Sequence, residues 1–312
     1  MDCREHPVHT DLLADTVPNR RGAAIGILYG MLVVLMWSSW VVATRFAVTT
    51  QLTPYDVAFI RYIVASAILS PILFRHGFAL RKIGLRRTAV LACGAGVPFL
   101  IMSSTGMSFA PASAAGSVMI GTMPLFVALL SATVGGERFS AARKCGFIVV
   151  ILGVFFIASQ GLATLQEGAW RGYPFFLCAA ALWAGYTMAF RGAGIGPWHA
   201  AALINVYSLL VFAPIYLVGL DKHLATATAS ELILQAVMQG IVSAVAGLYF
   251  YGQAIRRLGA SRAAVITSLT PVAVALLGSF FLNEQPNDIT WIGIAFVSVG
   301  VAVASGGLSR AS

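Results

Sequence analysis

Charge is scarce in this chain. Asp, Glu, Lys and Arg make up 10% of its 312 residues, against 59% hydrophobic residues and a mean hydropathy of +0.86. A soluble domain carries about 25% charged residues, so the deficit excludes one and indicates a membrane protein. Cysteine is scarce too. Cys3, Cys93, Cys145 and Cys178 are scattered, with no CxxC pair, so neither a disulfide framework nor a metal site is indicated. His6, His9, His76, His199 and His223 fall in the tail, loops or helix ends. With no HExxH, GxSxG or DxD and no phosphate-cradling glycine loop, the chain lacks the parts of an intramembrane enzyme and calls for no cofactor. No ring of like charges marks a channel. No carboxylate falls near the centre of a span, Asp56 being at an edge, so a proton relay lacks its usual residue.

What the chain has instead is long apolar runs. A hydrocarbon core of about 30 Å needs about 20 residues per helix. Ten runs qualify, at roughly 26–48, 55–74, 88–108, 112–134, 143–160, 171–190, 199–219, 231–253, 261–282 and 289–306. They are continuous rather than alternating, which excludes a β-barrel. Helices remain, because backbone groups in lipid must be satisfied within the segment. The expected fold class is an all-α integral membrane protein of ten transmembrane helices.

The chain also repeats itself. PLFVALL, VGGER and GFIVVILGV in the first half return as PVAVALL, FLNEQ and GIAFVSVGV about 147 residues later. In register, Pro124 pairs with Pro271, Glu137 with Glu284, Gly146 with Gly293 and Gly153 with Gly300. The earlier parts match more weakly: Trp37 and Arg45 stand opposite Trp183 and Arg191, and Pro54 and Pro71 opposite Pro197 and Pro214. Each half holds five spans, an odd number, so the second enters the membrane from the opposite side and the halves form inverted repeats. The expected divisions are a cytoplasmic tail at 1–24, a first repeat at 25–160, a second at 161–306 and a cytoplasmic tail at 307–312. Inverted repeats let one chain reach inward-open and outward-open states of similar energy by exchanging the conformations of its halves.

The net charge of +9 is distributed by side. With the N-terminus inside, 16 of the 20 Lys and Arg residues lie in inner segments, and Arg45, Arg61, Arg171 and Lys222 lie on or toward the outside. That is the positive-inside asymmetry. The basic balance therefore sets topology, with both termini cytoplasmic, and nucleic acid is not an expected partner.

The segments LMWSSWVVATRFAV at 35–48 and LTPYDVAFIRYIVASAIL at 52–69, with the duplicated segments at 124–154 and 271–301, resemble the ten-helix, EamA-like group of the drug/metabolite transporter superfamily over about residues 22–306. The resemblance implies a central cavity lined by the first four helices of each half, with the fifth and tenth helices standing aside as supports. It implies export or exchange of small metabolites, amino acids among them, without ATP, in a plasma membrane such as the bacterial cytoplasmic membrane. The substrate does not follow from it.

Within that frame Arg61 is the sharpest candidate, seven residues into the second helix and so about 10 Å from the boundary. It matches the arginine of the family's second-helix pattern and could bind a carboxylate, form a gating pair, or snorkel to headgroups. Trp37 and Trp183, mid-span counterparts, could wall a cavity or pack between helices; Trp40 is expected at the outer interface. Glu231, Gln235, Gln239, Ser243 and Gly247 recur every fourth residue on the eighth helix. We expect Gln239 and Ser243 to face the cavity and the ends of the stripe to pack. Asn205 and Ser208 form a shorter polar pair, and Tyr186 and Tyr249 could supply hydroxyls. Pro124 and Pro271, with Thr122 and Thr267 beside them, mark kinks that could hinge or expose carbonyls. Glu137 and Glu284 sit at span ends, where fixing a loop is the expected role.

The expected function is a secondary transporter of small amphiphilic or zwitterionic solutes. A nucleotide-sugar or sugar-phosphate exchanger would want several cavity-side basic residues where Arg61 is alone; a non-transporting scaffold or sensor is the other alternative. A small-molecule substrate and the bilayer are the expected partners, and the apolar fifth and tenth helices offer a surface for a homodimer.

Overall fold

The computed structural model describes residues 20–136, 138–163 and 168–306. Among these the chain is helical, without a strand. Ten apolar helices follow in order: α1 Arg20–Thr50, α2 Pro54–His76, α3 Leu85–Phe109, α4 Ala112–Val134 and α5 Ala141–Ala163, then α6 Gly172–Arg191, α7 Pro197–Gly219, α8 Ala229–Leu258, α9 Arg262–Leu282 and α10 Asp288–Ala304. Nine are long and apolar enough to cross a membrane; α10, of 17 residues, is apolar but shorter.

Local chemistry sets the boundaries. Thr53 caps α2 through a capping box, its hydroxyl accepting from the Asp56 amide at 3.1 Å while the Asp56 carboxylate accepts from the Thr53 amide at 2.8 Å. Pro54 and Pro197 open α2 and α7, where a missing N–H is harmless. Prolines inside spans leave marks. Pro98 follows a break in α3 at Gly96, where a side chain would collide with the Ala92 carbonyl and Ser208 Oγ. Ahead of Pro124, α4 widens into a π-helical stretch at Ala115–Ile120. Ahead of Pro271, α9 breaks at Ser268 and Leu269. A second π stretch, Ala236–Ala246, lies inside α8.

Packing follows the repeat. One bundle sets α1 against α8 and α9; its counterpart sets α6 against α3 and α4. Helices α2 and α7 pack together along the middle, and α5 and α10 pack on each other at the side. The last pair shows the inverted symmetry atom by atom. A Cβ on Gly146 would meet Ala304 N and Gly300 O at 2.5 and 2.8 Å, and one on Gly153 would meet Gly293 O and Val297 N at 2.6 and 2.8 Å. Gly146 is the repeat partner of Gly293 and Gly153 of Gly300, so the two contacts are images of one another, as an antiparallel two-fold requires. Small residues at this seam let the backbones touch, the usual basis of close helix association in lipid. The glycine face of α5 and α10 is thus used within the chain, while Ile148, Ile151, Phe155, Ile292 and Val299 remain exposed on their outer sides.

Candidate functional site

The two bundles pack more closely on one face than on the other among the described residues. Toward the face where α1 ends at Thr50, the outer half of α3 packs on α1 and α2, and the start of α4 packs on α9. The repeat counterparts on the opposite face, α6 with the end of α8 and the end of α4 with the start of α9, pack less extensively among the described residues. The structure is therefore closed on the Thr50 face and more loosely packed on the other.

Between α2 and α8 lies a partly buried arginine. Arg61 on α2 donates from Nη1 to Ser243 Oγ on α8 at 2.9 Å, and its guanidinium carbon stands 5.9 Å from the centroid of Trp40. Among the described residues the ion pair is Arg45 with Glu284, so Arg61 faces no carboxylate. An unpaired charge within a span costs several kcal/mol, and most of the donors on its fork are uncommitted to protein. In this conformation the guanidinium reaches across to α8.

Behind Arg61 runs a polar ladder between α1 and α8. Trp40 Nε1 donates to Gln239 Oε1 at 2.8 Å, and Gln239 Nε2 donates to Thr44 Oγ1 at 2.9 Å and Gln235 Oε1 at 3.1 Å. Gln235 Nε2 donates in turn to the Ala43 carbonyl at 2.9 Å. Gln239 and Gln235 are fully buried. Gln239, expected to line a cavity, instead joins two helices in this conformation, and of the stripe Ser243 alone reaches Arg61. Glu231, at the end of the stripe, accepts from Thr50 Oγ1 at 2.9 Å.

The tryptophans divide unexpectedly. Trp37 pairs with Tyr251 on α8 at 5.2 Å between ring centres. Trp183 pairs with Tyr186 at 5.1 Å and with Phe99 at 5.3 Å, and Phe99 continues to Trp40 at 6.3 Å. Trp40, expected at the membrane interface, is instead 5% exposed, because its indole N–H has a buried acceptor in Gln239. The signal that could have shown this is the repeat: Trp40 stands opposite Tyr186 at the same spacing of 146 that relates Trp37 to Trp183. Phe99 and Tyr251 carried no such signal. Tyr249 is 41% exposed, beside Trp198.

On α7, Asn205 Nδ2 donates to the Ala201 carbonyl at 2.8 Å, while Asn205 Oδ1 and Ser208 Oγ are buried without a partner, as are the Tyr62 and Ser66 hydroxyls on α2. Thr122 bonds back to the Val118 carbonyl at 2.5 Å. The Thr267 carbonyl, whose helical donor Pro271 removes, accepts from Thr270 Oγ1 at 2.7 Å. Asp56 is fully buried at the start of α2, where it also accepts from the Tyr216 hydroxyl at 2.5 Å. Glu284 does more than fix its own loop. It pairs with Arg45 Nε at 2.8 Å and accepts from the Ala112 amide at 2.7 Å. Glu137 lies outside the described residues.

Known proteins share this plan. A protein crystal structure aligns with a TM-score of 0.63 at 20% identity, covering 94% of this chain and 100% of that one. The uncharacterized transporter YoaV of Bacillus subtilis is 22% identical over 308 residues, 92% of this chain and 99% of its own. A probable terminal-alkyne amino-acid exporter of Streptantibioticus cattleyicolor is 28% identical over 288 residues, 87% of this chain and 90% of its own. The EamA-like transporter family matches twice, at residues 24–159 and 170–306, once for each half. With both halves matched in a helical, doubled fold, the chain belongs to the EamA-like transporter family.

Proposed function

We propose that the protein is a secondary transporter that exports or exchanges small amino-acid-like or zwitterionic metabolites by alternating access, with the substrate carboxylate held by Arg61. The observation that carries this reading is the partly buried guanidinium with no carboxylate partner among the described residues. Its planar fork suits bidentate recognition of a carboxylate, and a bound anion would supply the missing counter-charge. Ser243 orients the fork. Trp37, Trp183 and Tyr186 offer aromatic faces for an apolar or cationic part of the solute, and Asn205 on α7 offers an unpaired acceptor. Gln239 acts one step back, holding Trp40 beside Arg61. Pro124 and Pro271, with Thr122 and Thr267, lie where the π stretch and the helix break give the two bundles places to bend. The related amino-acid exporter supports the substrate class.

The orientation is assigned by charge. Arg75, Arg81, Lys82, Arg86, Arg87, Arg143, Lys144, Arg191, Arg256 and Arg257 lie on the face opposite Thr50, which the positive-inside rule makes cytoplasmic. Both termini are then cytoplasmic in a bacterial plasma membrane, and the more loosely packed face opens inward.

Counterflow in proteoliposomes with a panel of labelled amino acids, sugars and quaternary amines tests the reading. Saturable uptake of amino acids that Arg61→Ala abolishes, in protein that still elutes as a folded species, is the expected result. Uptake of equal rate in the variant would remove Arg61 from the site.

A further inference from the structure

We infer that Arg45 and Glu284 form a one-sided latch that biases the resting transporter toward the state closed on the Thr50 face. This rests on the alternating-access reading above. Both residues belong to the same bundle, Arg45 on α1 and Glu284 just beyond α9. Their ion pair, 17% and 18% exposed, does not itself cross the gap. What crosses are two further bonds to the corner between α3 and α4 in the other bundle. Arg45 Nη1 donates to the Met107 carbonyl, and Glu284 Oε2 accepts from the Ala112 amide at 2.7 Å.

The corner is made for them by its own sequence. In a continuing helix the Met107 carbonyl would accept from residue 111, but that residue is Pro111 and has no N–H. Ala112 opens α4, so its amide also lacks a helical acceptor. The end of α3 carries partial negative charge and receives the guanidinium; the start of α4 carries partial positive charge and receives the carboxylate. The ion pair is thus a plug whose two poles match two orphaned helix ends.

The corner on the opposite face is built differently. Arg191, the counterpart of Arg45, is exposed, and Glu137, the counterpart of Glu284, lies outside the described residues. The corner that corresponds to Pro111 carries Leu258, and α8 runs unbroken to it, so no carbonyl there is freed by a proline. Duplication supplied the arginine and glutamate twice; Pro111 makes one copy a latch.

Distances between spin labels in the full chain, with its cysteines replaced by alanine and held in lipid nanodiscs, test this without any substrate. One pair at Thr49 and Phe109 reports the Thr50 face, and a second at Thr133 and Arg256 the opposite face. Ala112→Pro deletes the amide donor yet leaves both charges and suits the first turn of a helix; Arg45→Met deletes the bond to the Met107 carbonyl together with the ion pair to Glu284. Ala112→Pro is expected to raise the ratio of open to closed Thr50 face by about ten- to a hundredfold, the worth of one charge-assisted hydrogen bond, and Arg45→Met by at least as much. The double variant raises it further, with the opposite face closing in step. Arg45→Glu combined with Glu284→Arg keeps an ion pair but sets a carboxylate against a carbonyl, so it is expected to open the face as well. Unchanged distributions in Ala112→Pro and the double variant would overturn the proposal, as would wild-type closure in the charge-reversed protein, which would make the pair a simple salt bridge. Should Arg45→Met not fold, Ala112→Pro alone decides. A protein with a working latch but no flux of any solute would count against the transport reading and not against the latch.

Discussion

Arg61 and Gln239 show how differently two polar residues in a span can behave. Arg61 keeps a charge with one hydroxyl acceptor and an aromatic face, an arrangement that makes sense for a group awaiting an anion. Gln239 has both amide protons taken and its carbonyl engaged, so it is glue. Two outcomes separate them. Gln239→Leu strands the Trp40 indole N–H and the Gln235 carbonyl in a buried site, and is expected to lower stability by about 1–3 kcal/mol, read as a fall in the melting temperature of detergent-solubilised protein. Arg61→Lys keeps the charge but loses the fork; it should raise the KM for a carboxylate substrate at least tenfold while the melting temperature holds. Arg61 was legible in the sequence because a charge inside a span announces itself. The commitment of Gln239 was not, because spacing says which face a residue shares and not what stands opposite.

At the scale of helices, the paired prolines behave unequally. Pro124 follows a π stretch in an otherwise continuous α4, whereas Pro271 follows a break in α9 and a Thr270 hydroxyl that satisfies the freed Thr267 carbonyl. Two bundles in the same register of the repeat thus hold different local conformations, which fits one face closed and the other more loosely packed. Thr270→Val leaves the Thr267 carbonyl without its hydroxyl and should cost about 1 kcal/mol, seen by thermal melting, with a larger effect on transport rate than on substrate affinity. The seam of α5 and α10 gives a firmer prediction. Gly153→Leu forces a side chain onto the Gly293 carbonyl and is expected to destabilise by about 3 kcal/mol, again in a melting experiment, while Ile151→Leu on the exposed flank should change little. The repeated glycines were visible in the sequence; that Gly146 meets Gly300 rather than its own repeat partner follows only once the second half is turned over.

For the whole molecule, orientation is the claim that most needs measuring. A single cysteine at Thr49 in a cysteine-free background should react with a membrane-impermeant maleimide in intact cells, and one at Arg256 should react only after the membrane is opened. The reverse pattern would invert the sidedness of every statement about inward and outward. Composition, the length of the apolar runs and the doubled segments by themselves determined an all-helical membrane protein of two inverted halves, because lipid leaves the backbone one way to satisfy itself and an odd number of spans one way to repeat. They also singled out Arg61, since a charge amid apolar residues is conspicuous without neighbours. Only the tertiary structure decided that Trp40 and Gln239 are buried partners, that Phe99 and Tyr251 join the aromatic walls, and that Arg45 and Glu284 close on a proline-broken corner. Those facts depend on which helix lies against which across 60 to 240 residues of sequence, and a pairing of that range is set by packing in three dimensions rather than by any local pattern.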